Sequence, residues 1–270
     1  MLQNGFRLIN IVQTSYEIKR KNNTHHRCGS GIGLEAAKQF LEVGAKVIIT
    51  GRSQSKLDAA KKAYPALTAI KSDAGNENDA NALFDKVKAL GGIDILYNNA
   101  GVGVPPKNLG IANDGHLKGA AYEMEVNYLG VVRLNNLFME MLKSRKESAI
   151  INTTSILSMV PSMIEATYSA SKSALAFYTK SLREHLKILN ANVKVFELLP
   201  PLVDTDMVAD RNDKKISPEK LVNALIKGLS EDRYTIRVGD SKIIYMLNRF
   251  FPKLAFGLIN PKKIHADLKS

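Results

Sequence analysis

The chain has one cysteine, Cys28, in 270 residues. That excludes an internal disulfide and a cysteine-based zinc site, and it fits a reducing, cytoplasmic setting. The five histidines, His25, His26, His116, His185 and His265, share no metal-ligand spacing. Adjacent His25 and His26 cannot supply two ligands from one helix face, so no metal is expected. No uninterrupted apolar run approaches the ~20 residues of a membrane span. The N-terminus lacks a compact apolar region followed by a small-residue cleavage site, which argues against a secretory signal. No linker and no internal repeat is visible.

The 45% hydrophobic and 24% charged content is that of an ordinary soluble globular protein. The net charge of +12 raises a nucleic-acid reading, so its location matters. Arg7, Lys19, Arg20, Lys21 and Arg27 face only Glu17 in residues 1–28. Lys242, Arg249, Lys253, Lys262, Lys263 and Lys269 face only Asp267 from 242 onward. Most of the excess therefore belongs to the two ends. The body has no interleaved basic and aromatic stripe, and no nucleic-acid partner is expected.

From Gly31 the pattern alternates helix and strand. Residues 31–44 read as a helix closed by Gly44, 45–50 as a buried strand, 53–64 as a polar helix and 67–71 as a short strand. Residues 76–90 follow as a helix, 93–97 as a strand, 118–143 as one long helix, 149–154 as a strand and 165–189 as a helix. A strand at 193–199, a helix at 218–229 and a strand at 234–238 complete the series. Continuous apolar strands between helices predict an α/β domain, a doubly wound parallel sheet covered on both faces. In such sheets ligands bind beyond the carboxyl ends of the strands. Gly31 to Gly33, Arg52, Asp73, Asn98 to Gly101, Ser155 and Pro200 to Thr205 all fall there. Each has an ordinary alternative: Asn-Gly clusters make turns, Arg52 is a surface charge, Asp73 is a helix-entry residue. Together they describe one ligand edge.

Tyr168 and Lys172 lie four residues apart, which on a helix places them on one face, with Ser155 upstream at the end of an apolar run. An ammonium beside a phenol favours the phenolate, an acid/base device. By itself Y-x-x-x-K is an ordinary helical pair. G-S-G-I-G at Gly29 to Gly33, N-N-A-G at Asn98 to Gly101, Asn127 within M-E-V-N, Ser155, Y-S-A-S-K at Tyr168 to Lys172, and Pro200, Val203 and Thr205 in order resemble the short-chain dehydrogenase/reductase family. The resemblance covers about residues 29–239. E-L-L-P-P-L-V-D-T-D-M, Glu197 to Met207, looks like a bacterial branch associated with D-alanylation of teichoic acid.

The resemblance implies a catalytic set of Asn127, Ser155, Tyr168 and Lys172. Tyr168 would be the general acid/base, Ser155 would hold the reacting oxygen, Lys172 would lower the Tyr168 pKa and bind the nicotinamide ribose, and Asn127 would hold a relay water. Ser30, Gly31, Ile32, Gly33, Arg52, Asp73, Ala74, Asn99, Ala100, Gly101, Tyr168, Lys172, Val203 and Thr205 would bind the cofactor. Dinucleotide folds selective for NAD usually carry an acid after the second strand, whereas a basic residue accommodates the 2′-phosphate of NADP. Gly51-Arg52 stands there, so NADP is expected. The expected activity interconverts a carbonyl and an alcohol on a small to medium, fairly apolar molecule. Its pocket would be lined from Val102 to Pro106, Ile156 to Met163 and Leu202 to Met207. The competing readings are a catalytically impaired chain and a non-catalytic, membrane-associated binding protein.

One departure is large. Counting back from Gly33 puts His26 and Arg27 where the family carries Thr and Gly, and a side chain obstructs that tight turn. Lys19 to His26 cannot form a buried strand. We therefore divide the chain into an aberrant segment 1–28, an oxidoreductase domain 29–240 and an apolar, basic extension 241–270. Three roles are open to the extension: packing against a second subunit in a homo-oligomer, which is favoured, covering the substrate pocket, and resting on a membrane surface through 242–260. Codons permitted for Tyr16 to Cys28, read one base later, yield M-K-L-K-G-K-T-I-L-I-T-G. That sequence supplies a start, an apolar strand and the Thr-Gly turn, in register with the glycine motif. Residues 1–28 are therefore expected to be out-of-frame translation through a base lost near Cys28. The coding sequence tests this directly: a one-base shift should restore the strand and turn, and a sequence in which no such shift does so refutes it.

Overall fold

The computed structural model describes residues 7–11, 31–104, 108–205, 213–265 and 268–269. Its element order is β1 (Arg7–Ile11), α1 (Ile32–Glu42), β2 (Lys46–Gly51), α2 (Gln54–Ala63), β3 (Thr68–Lys71), α3 (Glu77–Ala89), β4 (Ile95–Asn98), α4 (Gly115–Met124), α5 (Gly130–Lys143), β5 (Ser148–Thr153), α6 (Ala166–Ile188), β6 (Val193–Leu199), α7 (Pro218–Ser230), β7 (Thr235–Arg237), α8 (Asp240–Phe250) and α9 (Pro252–Ile259). The strands form one sheet in the order β3-β2-β1-β4-β5-β6-β7, every neighbouring pair parallel. This is the doubly wound α/β arrangement expected from the alternating pattern.

Period-two alternation explains the two buried faces. Val47, Ile49, Tyr97, Ile151, Phe196 and Leu198 point into the layer closed by Phe40, Leu221 and Leu225. Ile48, Leu96, Ile150 and Val195 point into the opposite layer with Leu83, Leu134, Phe138 and Leu186. Local chemistry sets the helix ends. The side chains of Ser53, Asn76 and Ser217 accept from the N–H groups of Lys56, Asp79 and Lys220, and Pro218 occupies the first turn of α7. Gly44 ends α1 at φ 84°, a left-handed conformation that a side chain disfavours.

Three differences from the sequence reading matter. First, the slot between β2 and β4 is filled by Arg7–Ile11, well upstream of the glycine motif. Two unpaired ladder edges at the centre of a parallel sheet demand an extended partner, and Leu8, Ile9 and Ile11 make that segment apolar enough to pair. Lys19 to His26 and the turn through Ser30 lie outside the described residues. Second, the long helix expected at 118–143 begins at Gly115 and is interrupted by a π-helical turn, Glu125–Leu129, which carries Asn127. Third, the extension folds as α8 and α9 against the Ile156–Met163 segment. Ile244 and Ala255 are buried with Val160, and Ile156, Met159, Leu247 and Ile259 pack around them. The extension thus packs on part of the segment expected to line the substrate pocket. Among the described residues no helix is long and apolar enough to cross a membrane.

Gly130 begins α5 directly beneath the Ala74 carbonyl; a Cβ there would sit 2.5 Å from that oxygen. Backbone has no rotamer with which to yield. Gly130→Ala should therefore cost about 1–3 kcal/mol by overpacking, read as a lower urea midpoint at unchanged m-value.

Candidate active site

The loops beyond the carboxyl ends of β2 to β6 gather most of the residues singled out by sequence. Lys172 lies one turn along α6 from Tyr168 and is 2% exposed. Its Nζ donates to the Thr153 carbonyl at 2.9 Å and stands 5.8 Å from the Tyr168 ring centroid. Burial pulls its pKa down to about 8. Tyr168 itself is half-buried, with Gly103 against its ring edge. Ser155, at the end of β5, is buried, and its Oγ accepts from Leu157 N–H at 3.1 Å. That bond uses a lone pair and leaves the hydroxyl proton to donate elsewhere.

Asn127 is fully buried in the π-helical turn, where the wider backbone turns its amide inward. Its Oδ1 accepts from Val102 N–H (2.8 Å), while Nδ2 donates to the Val102 carbonyl (2.9 Å) and to Ser171 Oγ (3.0 Å). Both amide protons are thus committed to holding the β4 loop against α6; one Oδ1 lone pair remains for a water. Gly101 closes the group. A Cβ there would meet Lys172 Nζ at 3.4 Å and Asn127 Oδ1 at 3.8 Å. The N-N-A-G run is therefore split in role: Asn99 Oδ1 accepts from Tyr97 Oη and Thr153 Oγ1, Ala100 is buried, and Asn98 points into the core.

The remaining cofactor candidates form the other end of the edge. Gly31 is the N-cap of α1 and brings no side chain to its first turn, with Ile32 and Gly33 following. Such an end presents backbone N–H groups and the positive pole of the helix. Arg52 Nη1 donates to Tyr122 Oη at 2.6 Å and lies 3.8 Å from Asp73 Oδ2. Asp73 Oδ1 also accepts from Gly75 N–H, and Ala74 is buried beside it. Val203 is buried and bridges to Ile216; Thr205 is half-buried two residues on. Ser30 lies outside the described residues. Among those described, no cluster of three or more His, Cys, Asp or Glu could hold a metal.

Sequence reasoning missed several participants. Thr153 and Ser171 act through hydrogen bonds to Lys172 and Asn127, which residue type alone does not announce. Glu123 is 1% exposed, accepts from Val104 N–H at 2.8 Å, and has its carboxyl pKa raised by burial. Its one sequence signal is its spacing, four residues before Asn127 and four after Gly119, which packs on Val104. A cavity of about 310 Å3 lies between the β4 loop, the segment before α6 and the C-terminal extension. Pro161 to Met163 line it as expected, but Asn108, Leu109, Phe256 and Leu268 do so instead of residues 202–205. Residues 105–107 and 206–212 lie outside the described set.

A parallel sheet with a glycine at the N-cap of the helix on its ligand edge and a Tyr-Lys pair on one turn of α6 is the arrangement of a Rossmann-type oxidoreductase. The chain belongs to the short-chain dehydrogenase/reductase family: the short chain dehydrogenase model matches residues 28–216. It is 34% identical over 229 residues to the uncharacterized oxidoreductase DltE of Bacillus subtilis, covering 81% of this chain and 89% of that protein. Its fold is similar to a short chain dehydrogenase from Burkholderia cenocepacia in complex with NADP (TM-score 0.78, 25% identity, covering 96% of this chain and 99% of that one). A Burkholderia phymatum enzyme of the same kind in complex with NAD shares the fold at TM-score 0.76 and 20% identity, covering 94% and 96%.

The buried Lys172 gives a stability signature. Its folded pKa of about 8 lies below its ordinary 10.5. Between those values the unfolded chain binds more protons, so this group makes stability rise with pH through that window. Buried Tyr97, whose phenol is pushed up from 10.0, acts in the opposite sense above that value. Urea unfolding at pH 8 and pH 10 should show the rise, and Lys172→Met should abolish it.

Proposed function

We propose that this chain is an NADP(H)-dependent oxidoreductase that interconverts a carbonyl and an alcohol on a small to medium apolar substrate, with Tyr168 as general acid/base. The observation that carries the reading is Lys172, buried and desolvated, its ammonium held by the Thr153 carbonyl and set against the Tyr168 ring. A cation kept there lowers the free energy of the neighbouring phenolate and so tunes the phenol for proton exchange near neutral pH.

The residues fit a dinucleotide at the points where fit can be tested. Gly101 brings no side chain to the space beside Lys172 Nζ, Gly31 brings none to the start of α1, and no acid directly follows β2. A bound nicotinamide supplies or accepts the hydride. In the reducing direction Tyr168 gives its phenolic proton to the carbonyl oxygen as that oxygen becomes negative, and in the oxidising direction it takes the proton from the alcohol. Ser155 donates its hydroxyl proton to the same oxygen and fixes it relative to Tyr168. Lys172 holds the cofactor ribose and stabilises the phenolate. Asn127 acts chiefly by positioning, through the Val102 peptide and Ser171, with one acceptor site left for a relay water.

Arg52 supports NADP. Its guanidinium, held at the end of β2 by Tyr122 and Asp73, would bind a 2′-phosphate, and Ser30, Gly33, Asp73, Ala74, Val203 and Thr205 complete the proposed cofactor set. The apolar cavity walled by Leu109, Met163 and Phe256 supports the substrate class. The start of the family match at residue 28 supports reading residues 1–28 as out-of-frame translation, even though Arg7–Ile11 completes the sheet.

NADPH titration by fluorescence, on the chain as written and with residues 1–28 replaced by M-K-L-K-G-K-T-I-L-I-T-G-G, tests the reading. Tyr168→Phe should keep cofactor binding and lose turnover by about 10²-fold or more. Lys172→Met should lose both, and Arg52→Asp should move preference toward NADH by about tenfold. Equal loss of binding in the Tyr168 and Lys172 variants, or an unchanged NADPH/NADH ratio at Arg52, would refute the respective roles.

A further inference from the structure

Helices α8 and α9 carry two apolar faces. The inner one, Ile244 and Ala255, is buried on the enzyme. The outer one holds Ile243, Met246 and Phe250 at helical spacing on α8, Phe251 at the corner, and Leu254 and Leu258 one turn apart on α9. These six side chains are each 52–62% exposed. An apolar surface this dense on one short helical pair is unusual for a side of a protein that meets only water.

The charges around it decide what covers it. Lys242, Arg249 and Lys253 are exposed on the same two helices, and Asp240 is the acid there. Exposed Lys262 follows, with Lys263 paired to Asp213. A second copy docked face to face would bring two identical cationic surfaces together and desolvate like charges. An anionic phospholipid bilayer instead presents the opposite charge at headgroup level and an apolar layer just beneath it. Long lysine and arginine stems suit that boundary, reaching headgroups while the aromatic and aliphatic side chains enter the acyl region. The helical run breaks at Phe251, whose backbone leaves the helical region, and α9 starts afresh at Pro252 in contact with α8, so the exposed apolar side chains of the two helices adjoin at that corner.

We propose that the outer face of α8 and α9 docks this enzyme on anionic phospholipid bilayers. The position of the surface gives it a use. Phe256 of α9 lines the apolar cavity together with Leu109 and Met163, and Leu268, just beyond, lines it too. The docking helices thus form part of the cavity wall, which places a lipid-soluble substrate and the cavity at the same membrane boundary.

The test is co-sedimentation of the full chain with vesicles of phosphatidylcholine alone and of phosphatidylcholine mixed with phosphatidylglycerol. The protein should bind the mixed vesicles, less so as salt is raised, and bind the neutral ones weakly. Arg249→Glu with Lys253→Glu should lower binding by about tenfold or more. Phe250→Ser with Leu254→Ser should remove it. Circular dichroism and Tm should stay unchanged in both, because these side chains are outside the core. Absence of vesicle binding by the unmodified chain overturns the proposal. So does a dimer in analytical ultracentrifugation that Phe250→Ser with Leu254→Ser dissolves while vesicles are ignored, which would assign the face to a second copy. The readout needs neither cofactor nor turnover, so it stands or falls apart from the proposed chemistry.

Discussion

An ammonium removed from water needs an acceptor close by, and in this fold the Thr153 carbonyl meets that need for Lys172. That single bond fixes what must surround it. The carbonyl is available because β5 ends there, and its neighbour Thr154 is tied sideways to Glu197 of β6 through a 3.0 Å hydrogen bond. The ends of β4 and β5 are levelled by a buried chain in which Asn98 donates to Asn135 and Asn152, and Asn152 donates to Thr179 of α6. Loss of that register would shift Thr153 relative to Lys172, since both lie on elements the chain ties together. Gly101 lies against the same group, a Cβ there falling at contact distance from Lys172 Nζ and Asn127 Oδ1.

Periodicity made the sheet legible in the sequence. Continuous apolar strands bounded by Gly, Pro and polar helix starts gave β2 to β7 and their helices with ends displaced by a few residues, as capping competes with fraying. The grouping of Asn127, Tyr168, Lys172 and Gly101 was legible through ordered motifs. What was not legible depends on three-dimensional partners. A π-helical turn has the same apolar period as an α-helix over so short a stretch, so the interruption at Glu125–Leu129 was invisible. Glu123 reads as a surface acid until Val104 N–H is seen to meet it. The first strand was hidden for a different reason. The next described element after Arg7–Ile11 begins only at Ile32, and a strand so far from its neighbours in sequence has no alternating pattern to announce it; pairing with β2 and β4 is what defines it.

The C-terminal extension shows where composition alone divides into readings that geometry can order. Its apolar residues were compatible with a cover, a subunit contact or a surface, because a hydrophobic side chain does not state which of its neighbours it prefers. The structure separates them by face. Ile244, Ala255 and Ile259 meet the Ile156–Met163 segment, and Asn260 locks that contact by donating to the Pro161 carbonyl and accepting from Met163 N–H at 2.7 Å. Asn248 adds a bond to the Met159 carbonyl. These are bonds to the very peptide segment that forms one wall of the cavity and leads into Tyr168. Movement of α9 therefore cannot leave Pro161 to Met163 in place without breaking buried polar pairs, each of which is costly to leave unmade. Whatever engages the outer face of α9 is mechanically joined to the cavity wall through Asn260, so surface contact and the shape of that wall are set by the same short stretch of chain.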